Sequence, residues 1–325
     1  MDIGVTVRLD QPITHAAQMA RRAEDLGFAS VWLADHYFHR DVSAALALMM
    51  TATERVRLGT AVMSPFLRHP TLLASLGATL REIGPDRFVL GLGAGGYEFA
   101  SEMGISMKRP LRVVSESVDI IRQIEAGTAQ VEGETFSARG SSLRWPAVEG
   151  PLYLAARGPK MLELAGRTAD GVITHGISQG HIDFVKERVA AGAVGRESGA
   201  ASICLMLDVE IGEDRAAALR LLAPRCVTMA GGAYADELIE IYGLDRDEVT
   251  ALRETVRSGD RARAAEQVTD SMAQAFGLAG SAAEVAAGLR RLEESGVDEV
   301  IVSVGGKDRD AVERQLTALA SEVYA

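Results

Sequence analysis

Short apolar runs alternate along the chain with stretches whose apolar residues recur at helical spacing. Between Thr14 and Leu26 the apolar side chains return every three or four residues, and Gly27 stands where a helix would end. The apolar runs are continuous rather than alternating, which is typical of parallel strands that are buried on both faces. The predicted strands are Ile3–Val7, Ser30–Ala34, Arg57–Met63, Arg87–Gly93, Leu152–Ala156, Gly171–Thr174, Ser202–Ile211 and Glu299–Val304.

Eight strands, nearly all followed by a helix, indicate a sheet that closes on itself. The fold class is therefore α/β, and we predict a (β/α)8 TIM barrel rather than an open doubly wound sheet. A chain of 325 residues holds such a barrel, which takes about 250 residues, and leaves room for insertions. We expect a single domain over residues 1–325. The alternation loosens at about 96–150, with a hairpin-like stretch around Val131–Trp145, and at about 212–294, and we predict insertions there.

Charge and composition narrow the possible partners. The net charge of −11 argues against nucleic acid, because phosphate binding requires a clustered basic surface. No window approaches 18 apolar residues, so no membrane span is expected, and the N-terminus lacks a signal-peptide pattern. These features predict a cytoplasmic protein that acts on a small molecule. Two cysteines cannot form a disulfide framework or a four-thiolate zinc site, and His39 has no acidic partners at ligand spacing, so no metal is expected.

In such barrels the chemistry lies at the carboxyl ends of the strands. The second predicted strand leads into Asp35 and His36, which either bind a heterocycle and move a proton or form a turn beside a packed histidine. Arg68-His69-Pro70 follows the third strand and is better explained as a helix start than as an anion contact. After the fifth strand, Arg157-Gly158-Pro159-Lys160 begins a helix, where free N–H groups and basic side chains favour a phosphate over a plain Gly-Pro turn.

The fourth strand ends in a glycine-rich run, Gly91-Leu92-Gly93-Ala94-Gly95-Gly96. The run matches the pattern G-x-G-x-x-G, but a dinucleotide fold also requires an immediate helix and an acid at the end of the next strand. Residues 97–109 are only a weak helix candidate, and Glu116 lies inside a predicted helix. We therefore interpret the glycines as a strand exit that admits a planar ring.

Taken in order, five segments resemble one superfamily. They are AEDLGFASVWLADH at 23–36, VRLGTAVMSPFLRHP at 56–70, DRFVLGLGAGG at 86–96, PLYLAARGPKMLELAGRTADGVITHG at 151–176 and SAAEVAAGLRRLEESGVDEVIVSVGG at 281–306. The series is similar to the luciferase-like flavin and deazaflavin oxidoreductases. Within that superfamily it most resembles the methylene-tetrahydromethanopterin reductases and other F-420-dependent enzymes.

The resemblance implies a site at the barrel mouth. A deazaflavin ring would lie across the strand ends, with Asp35 at the ring's side and His36 next to it. A non-prolyl cis peptide would join Ala61 and Val62 behind the ring. The resemblance further implies cofactor contacts around the ring at Ser64, Ala94 and Gly95, and around the ribityl chain and phosphate at Arg157, Gly158, Lys160, Met161, His175 and Gly176. It also implies a homodimer or a larger homo-oligomer.

One position departs from a branch of the family. Sugar-phosphate dehydrogenases carry a Glu where this chain has Gly96, so a glucose-6-phosphate dehydrogenase is not expected. His36 or Glu98 is then the candidate catalytic acid. The expected function is hydride transfer between C5 of F-420 and a small organic substrate, with a pterin-linked one-carbon unit as one candidate. The alternatives are an FMN-dependent luciferase-like monooxygenase, a non-catalytic flavin- or deazaflavin-binding protein, and an unrelated barrel lyase or aldolase built on Lys160.

Overall fold

A closed sheet of parallel strands forms the centre of the protein. The computed structural model describes residues 1–196, 199–232 and 236–324, without the side chains of residues 97–99. In this described part, eight parallel strands pair side by side in chain order, and the last pairs with the first. The strands of the barrel are β1 Asp2–Thr6, β2 Ser30–Leu33, β3 Arg57–Thr60, β4 Phe88–Leu92, β7 Leu152–Ala155, β8 Gly171–His175, β9 Ser202–Ile211 and β11 Glu299–Val304.

Helices cover the outside of this barrel, and a two-stranded hairpin lies beside it. The hairpin consists of β5 Ala129–Glu132 and β6 Ser137–Ser141. The helices are α1 Ile13–Asp25, α2 Val42–Ala52, α3 Pro70–Ile83, α4 Tyr97–Glu102, α5 Pro110–Glu125, α6 Pro159–Thr168, α7 Gln179–Gly192, α8 Arg215–Ala230, α9 Glu237–Tyr242, α10 Arg246–Ser258, α11 Arg261–Gln267, α12 Asp270–Phe276, α13 Ala282–Glu294 and α14 Arg309–Val323. Among the described residues, no helix is long and apolar enough to cross a membrane.

The predicted barrel is confirmed, and the structure refines its irregular parts. The stretch 96–150 contains the hairpin together with α5, which packs against α3 and α6 as a barrel helix. The stretch 212–294 likewise contains α8 to α12 and the barrel helix α13. A strand that the sequence pattern did not predict, β10 Gly277–Gly280, pairs in parallel with the carboxyl half of β9.

The interior of the barrel is closed by a layer of six buried side chains. We call this layer the barrel floor, and it consists of Trp32, Val89, Tyr153, Ile173, Cys204 and Ile301. Ala61, Val62 and Met206 pack against it from the carboxyl side. The floor separates the open mouth at the carboxyl ends of the strands from a small polar cluster at the amino ends.

A buried ion pair fastens the chain that returns from the hairpin to β7. The Arg81 guanidinium is 2.6 Å from the Glu125 carboxylate and also donates to the carbonyls of Val148 and Pro151. Arg81 is 1% exposed, so its charge depends on these partners for the solvation that water would otherwise provide. The pair joins α3 to α5 and holds the segment that leads into β7.

Removing only the acid of this pair should therefore be costly. We expect Glu125→Leu to lower the free energy of unfolding by about 3–5 kcal/mol, because it leaves the Arg81 charge buried without a counter-ion. The double variant Arg81→Met, Glu125→Leu should recover part of that loss. As a control, Glu134→Gln affects the exposed pair with Arg109 and should cost at most about 1 kcal/mol. Chemical denaturation measures all three; a Glu125→Leu cost equal to that of Glu134→Gln would contradict the prediction.

Candidate active site

The exit of β2 presents a carboxylate that is held in one orientation. Asp35 Oδ2 accepts a hydrogen bond of 3.0 Å from Arg68 Nε, and the side chain of Asp35 is only 11% exposed. Arg68 Nη2 reaches Asp41 at 2.9 Å, and Asp41 in turn caps the first turn of α2. Burial alone would raise the pKa of Asp41, but the Ala44 amide and the Arg68 bonds outweigh it and lower this pKa. Burial alone would lower the pKa of Arg68, but the two carboxylates outweigh it and raise this pKa. Asp35 is thus part of a fixed charge network between two loops.

The exits of β3 and β4 are joined by hydrogen bonds. The Thr60 hydroxyl donates to the Gly91 carbonyl at 2.8 Å and accepts from the Gly91 amide at 2.9 Å, and the backbone amide of Met63 donates to the same carbonyl at 2.9 Å. The Ala61–Val62 peptide that follows is cis, as the resemblance implies. Beyond it, Ser64 Oγ donates to the Ala94 carbonyl at 2.6 Å.

The surface over these two strand exits is built from small residues. Gly95 has φ +88°, a conformation that L side chains rarely adopt, and a Cβ there would lie 3.2 Å from Ser64 Cβ. At Gly93 a Cβ would lie 2.8 Å from a methyl group of Val62. The backbone is therefore exposed to any ligand that rests on the mouth at this point, and the arrangement suits a flat ring.

An exposed hydrogen bond joins the loop after β2 to α4. The Tyr37 hydroxyl, on the loop after β2, donates to Glu102 Oε2 in α4 at 2.5 Å, and this bond raises the pKa of Tyr37. His36 stacks on Phe38 with ring centroids 5.1 Å apart. Burial, and then the neighbouring His39, lower the pKa of His36, although Asp35 opposes them. His36 is therefore mainly neutral at neutral pH, which is the form that accepts a proton.

Helix α6 begins at the neighbouring exit of β7. Gly158 is its N-cap residue, and Pro159 occupies the first turn, where a missing N–H costs nothing. A Cβ at Gly158 would meet no atom within 4 Å, so there is open space in front of the helix. Lys160 is exposed and Met161 is half-buried in the same turn. The N-terminal amides, the helix dipole and Lys160 together favour an anion here.

Arg157 is engaged by the residues of the second irregular stretch. Its Nε donates to the Tyr242 hydroxyl at 3.2 Å, and its Nη2 donates to the Met229 carbonyl at 3.0 Å. The guanidinium also lies 5.6 Å from the centre of the Tyr242 ring and 5.9 Å from that of Phe276. Arg157 thus connects the loop after β7 to helices α8, α9 and α12. Its predicted contact with a phosphate stays a prediction.

The exit of β8 carries two neutral histidines. Burial, and then the charge of Arg157, lower the pKa of His175 and of His181 to about 3. His181 Nε2 lies 3.3 Å from Thr174 Oγ1, and its ring packs 4.7 Å from the Tyr242 ring. Gly176 has φ +114°, and a Cβ there would be 2.4 Å from Tyr242 Cε1, so Tyr242 occupies the space that the glycine leaves.

The structure brings the predicted residues to one end of the barrel. Their loops follow β2, β3, β4, β7 and β8, which are consecutive in the sheet. The side chain of Glu98 lies outside the described residues. His69 caps α3, with Pro70 in its first turn, as the preferred interpretation of that segment predicted. Within the described residues, no group of three or more His, Cys, Asp or Glu side chains is placed to hold a metal ion.

Sequence reasoning missed three residues that shape this mouth, namely Arg68 as the partner of Asp35, Glu102 as the partner of Tyr37, and Tyr242. The position of Arg68 just after a predicted strand was a usable signal, because strand exits meet in space. No comparable signal marked Tyr242, which lies far from any predicted strand.

Comparison with known proteins identifies the family of the chain. The family model described as luciferase-like monooxygenase matches residues 1–299. The chain belongs to this luciferase-like family. One luciferase-like relative is the 5,10-methylenetetrahydromethanopterin reductase of Archaeoglobus fulgidus, which is 32% identical over 308 residues, covering 93% of this chain and 92% of the relative.

Solved luciferase-like structures have the same architecture. The coenzyme F-420-dependent tetrahydromethanopterin reductase of Methanopyrus kandleri superposes with a TM-score of 0.86 at 25% identity, covering 99% of this chain and 98% of the other. An F-420-dependent secondary alcohol dehydrogenase, solved with an F-420–acetone adduct, gives a TM-score of 0.81 at 21% identity, covering 99% and 98%. The second likeness concerns the fold alone.

The two histidines at β8 predict a loss of stability in acid. An unfolded histidine binds a proton below its ordinary pKa of 6.5, whereas His175 and His181 in the fold do so only near 3. Stability should therefore fall as the pH drops from about 6.5, by up to about 1.4 kcal/mol per pH unit for each histidine. His181→Gln should show a shallower loss. Urea unfolding at about pH 7 and pH 5 measures the slope; equal slopes in the two proteins would remove His181 from this account.

Proposed function

We propose that this chain is an F-420-dependent oxidoreductase that transfers a hydride between C5 of the deazaflavin and a small organic substrate. The observation that carries the proposal is the full-length similarity to a methylenetetrahydromethanopterin reductase, combined with a mouth whose β3 and β4 exits are joined and lined by small residues. A pterin-linked one-carbon unit is the first substrate to test.

The residues at the mouth fit a deazaflavin with a phosphate-bearing tail. In this proposal the ring lies on Ala61, Val62, Ser64, Ala94 and Gly95, where side chains are small and the backbone is accessible. The tail runs towards the start of α6, where Gly158 leaves open space. There Lys160 and the first-turn amides would bind the phosphate, next to Met161, His175 and Gly176.

Each group then has a limited task, because the cofactor supplies the hydride-carrying carbon. Asp35, fixed by Arg68, is an acceptor of constant position at the ring's edge. The Ala61–Val62 segment supports one face and leaves the other to the substrate. Such positioning matters because transfer requires the reacting atoms to be about 3–3.5 Å apart.

Proton transfer is assigned to His36, with Glu98 as the second candidate. The lowered pKa of His36 keeps the imidazole in its neutral form at neutral pH, so it would accept the proton released when a substrate is oxidised. In the reducing direction the same histidine must first bind a proton, and reduction is then favoured at lower pH.

The second candidate function is that of an FMN-dependent monooxygenase, because the matching family model is described as a luciferase-like monooxygenase. A flavin ring would occupy the same strand exits. The two candidates are distinguished by which cofactor the protein binds.

Two further features bear on the cellular location and the oligomeric state of the protein. Cys204 and Cys226 are both free and buried, as in proteins of a reducing compartment such as the cytoplasm.

Leu72 and Ile83, which are 64% and 41% exposed, lie about three turns apart on one face of α3. These two exposed apolar side chains on one helix face support a homodimer or a higher homo-oligomer.

Titration of the purified protein with F-420 and with FMN tests the cofactor. We expect F-420 to bind tightly and FMN weakly, as followed by ligand fluorescence. Lys160→Ala should lower the affinity for F-420 by about tenfold or more, because it removes a charged contact to the phosphate. The same variant should leave a tail-less deazaflavin unaffected. Lys307→Ala, which removes an exposed lysine after β11, is the matched control.

Tight binding of FMN with weak binding of F-420 would contradict the proposal and support the monooxygenase function instead. If Lys160→Ala loses the same affinity for F-420 and for the tail-less deazaflavin, the proposed contact between Lys160 and the phosphate is wrong.

The pH dependence of turnover tests His36. In the substrate-oxidising direction, kcat/KM should rise as the pH increases through a value below the ordinary 6.5 and then level off, because only the neutral imidazole accepts a proton. His36→Gln should be slower and should lack this acidic limb. The same limb in His36→Gln would show that another group is the base and would favour Glu98.

A further inference from the structure

We infer that Trp32 and Glu299 act together as positioning residues, which set the height and tilt of the Ala61–Val62 segment on which the cofactor ring would rest. The inference rests on the proposed function, and it concerns residues below the mouth that touch neither cofactor nor substrate. Its basis is a chain of contacts from the amino end of the barrel to the exit of β3.

The first contact joins the Trp32 indole to β3. Trp32 is 1% exposed and is in register with Gly59. A Cβ at Gly59 would lie 2.4 Å from Cε3 and Cζ3 of the indole, so the indole fills the space of the missing side chain. Ala61 and Val62, two and three residues further on, pack against the barrel floor to which Trp32 belongs. A displaced indole would therefore displace this segment.

The second contact fixes the orientation of the indole. Trp32 Nε1 donates to Ser30 Oγ at 2.7 Å and to Glu299 Oε1 at 3.2 Å. The Tyr153 ring lies 5.9 Å away and is inclined by 30°, which limits movement of the indole on the other side. A buried indole N–H requires an acceptor, so these bonds specify one way for the ring to lie.

The third contact anchors the acceptor itself. Glu299 is 3% exposed; it accepts from the Ser30 hydroxyl, and its Oε2 lies 3.3 Å from Arg57 Nη2. The Cys204 thiol lies 3.7 Å from the same oxygen, and burial, more than the carboxylate, raises the pKa of that thiol. The carboxylate is thereby held by groups on three different strands.

The cost of this arrangement argues for a role beyond filling the barrel. Burial of the Glu299 carboxylate costs free energy that its hydrogen bonds and the partly exposed Arg57 offset, whereas these fixed bonds define one geometry. Space is also cleared for it: a Cβ at Gly4 would lie 2.1 Å from Ser30 Oγ and 3.0 Å from both Glu299 Oε1 and Trp32 Nε1. What the network provides is a rigid support directly beneath the exit of β3.

Binding of F-420 and of a tail-less deazaflavin to Trp32→Phe, Glu299→Leu and the double variant tests the inference. Each single variant should lower the affinity for both ligands by the same factor, about tenfold, because only the support of the ring has changed. The double variant should be no weaker than the single ones, because the two residues act as a unit. The absorption spectrum of bound F-420 should shift in all three.

Two controls separate positioning from general loss of stability. Glu299→Gln keeps an oxygen that accepts from Trp32 Nε1 and should recover most of the affinity and the native spectrum. Leu316→Ala empties a buried site on α14, outside the barrel, and should lower Tm without changing either affinity. Circular dichroism establishes that each variant is folded at the titration temperature.

The outcomes are distinct. If the folded Trp32→Phe and Glu299→Leu variants bind both deazaflavins as the wild type does, the inference is overturned and the proposed function stands. Loss of affinity in Leu316→Ala in proportion to Tm would also overturn it. If the wild type binds neither deazaflavin, the proposed function fails, and the inference fails with it.

Discussion

The hydrogen-bonded ladder between β11 and β1 closes the sheet, and the rest of the structure depends on that closure. It runs from Asp2 opposite Glu299 to Val5 opposite Val302 and joins the two ends of the chain's alternating pattern. Closure encloses the strands on both faces and sends all their carboxyl ends to one mouth. It also buries Glu299 in the barrel interior, where a carboxylate cannot remain without partners. The polar cluster below the floor follows from this constraint.

The regular part of the fold could be predicted because its signals are local. Ser202–Ile211 and Glu299–Val304 were predicted with the bounds that the structure shows, since continuous β-rich runs there are bounded by turn residues or helices. Strand β10 could not be found in this way. Gly277–Gly280 contains two glycines and no apolar run, and it is a strand only because β9 extends past the barrel and offers an unpaired edge.

The sequence predicts which strand exit each site residue follows, but it does not predict the direction of the side chain. Asp35 and Ser64 follow predicted strands, so their place at the mouth could be derived from the sequence alone. The direction of a side chain depends on partners that are distant in the chain. Arg157 illustrates this, because its bonds go to Tyr242 and Met229, which are 85 and 72 positions away. No local pattern encodes that choice.

The two halves of the mouth differ in charge. At the exits of β2 and β3, Arg68 pairs with two carboxylates, Asp35 and Asp41, so this half of the mouth keeps a net negative charge. At β7 and β8, Arg157 is a cation, while burial keeps His175 and His181 neutral. Protonated histidines would repel the Arg157 guanidinium, whose charge already lowers their pKa. The neutral pair therefore lets one arginine bind the irregular stretch to the barrel, and the start of α6 remains open to an anion.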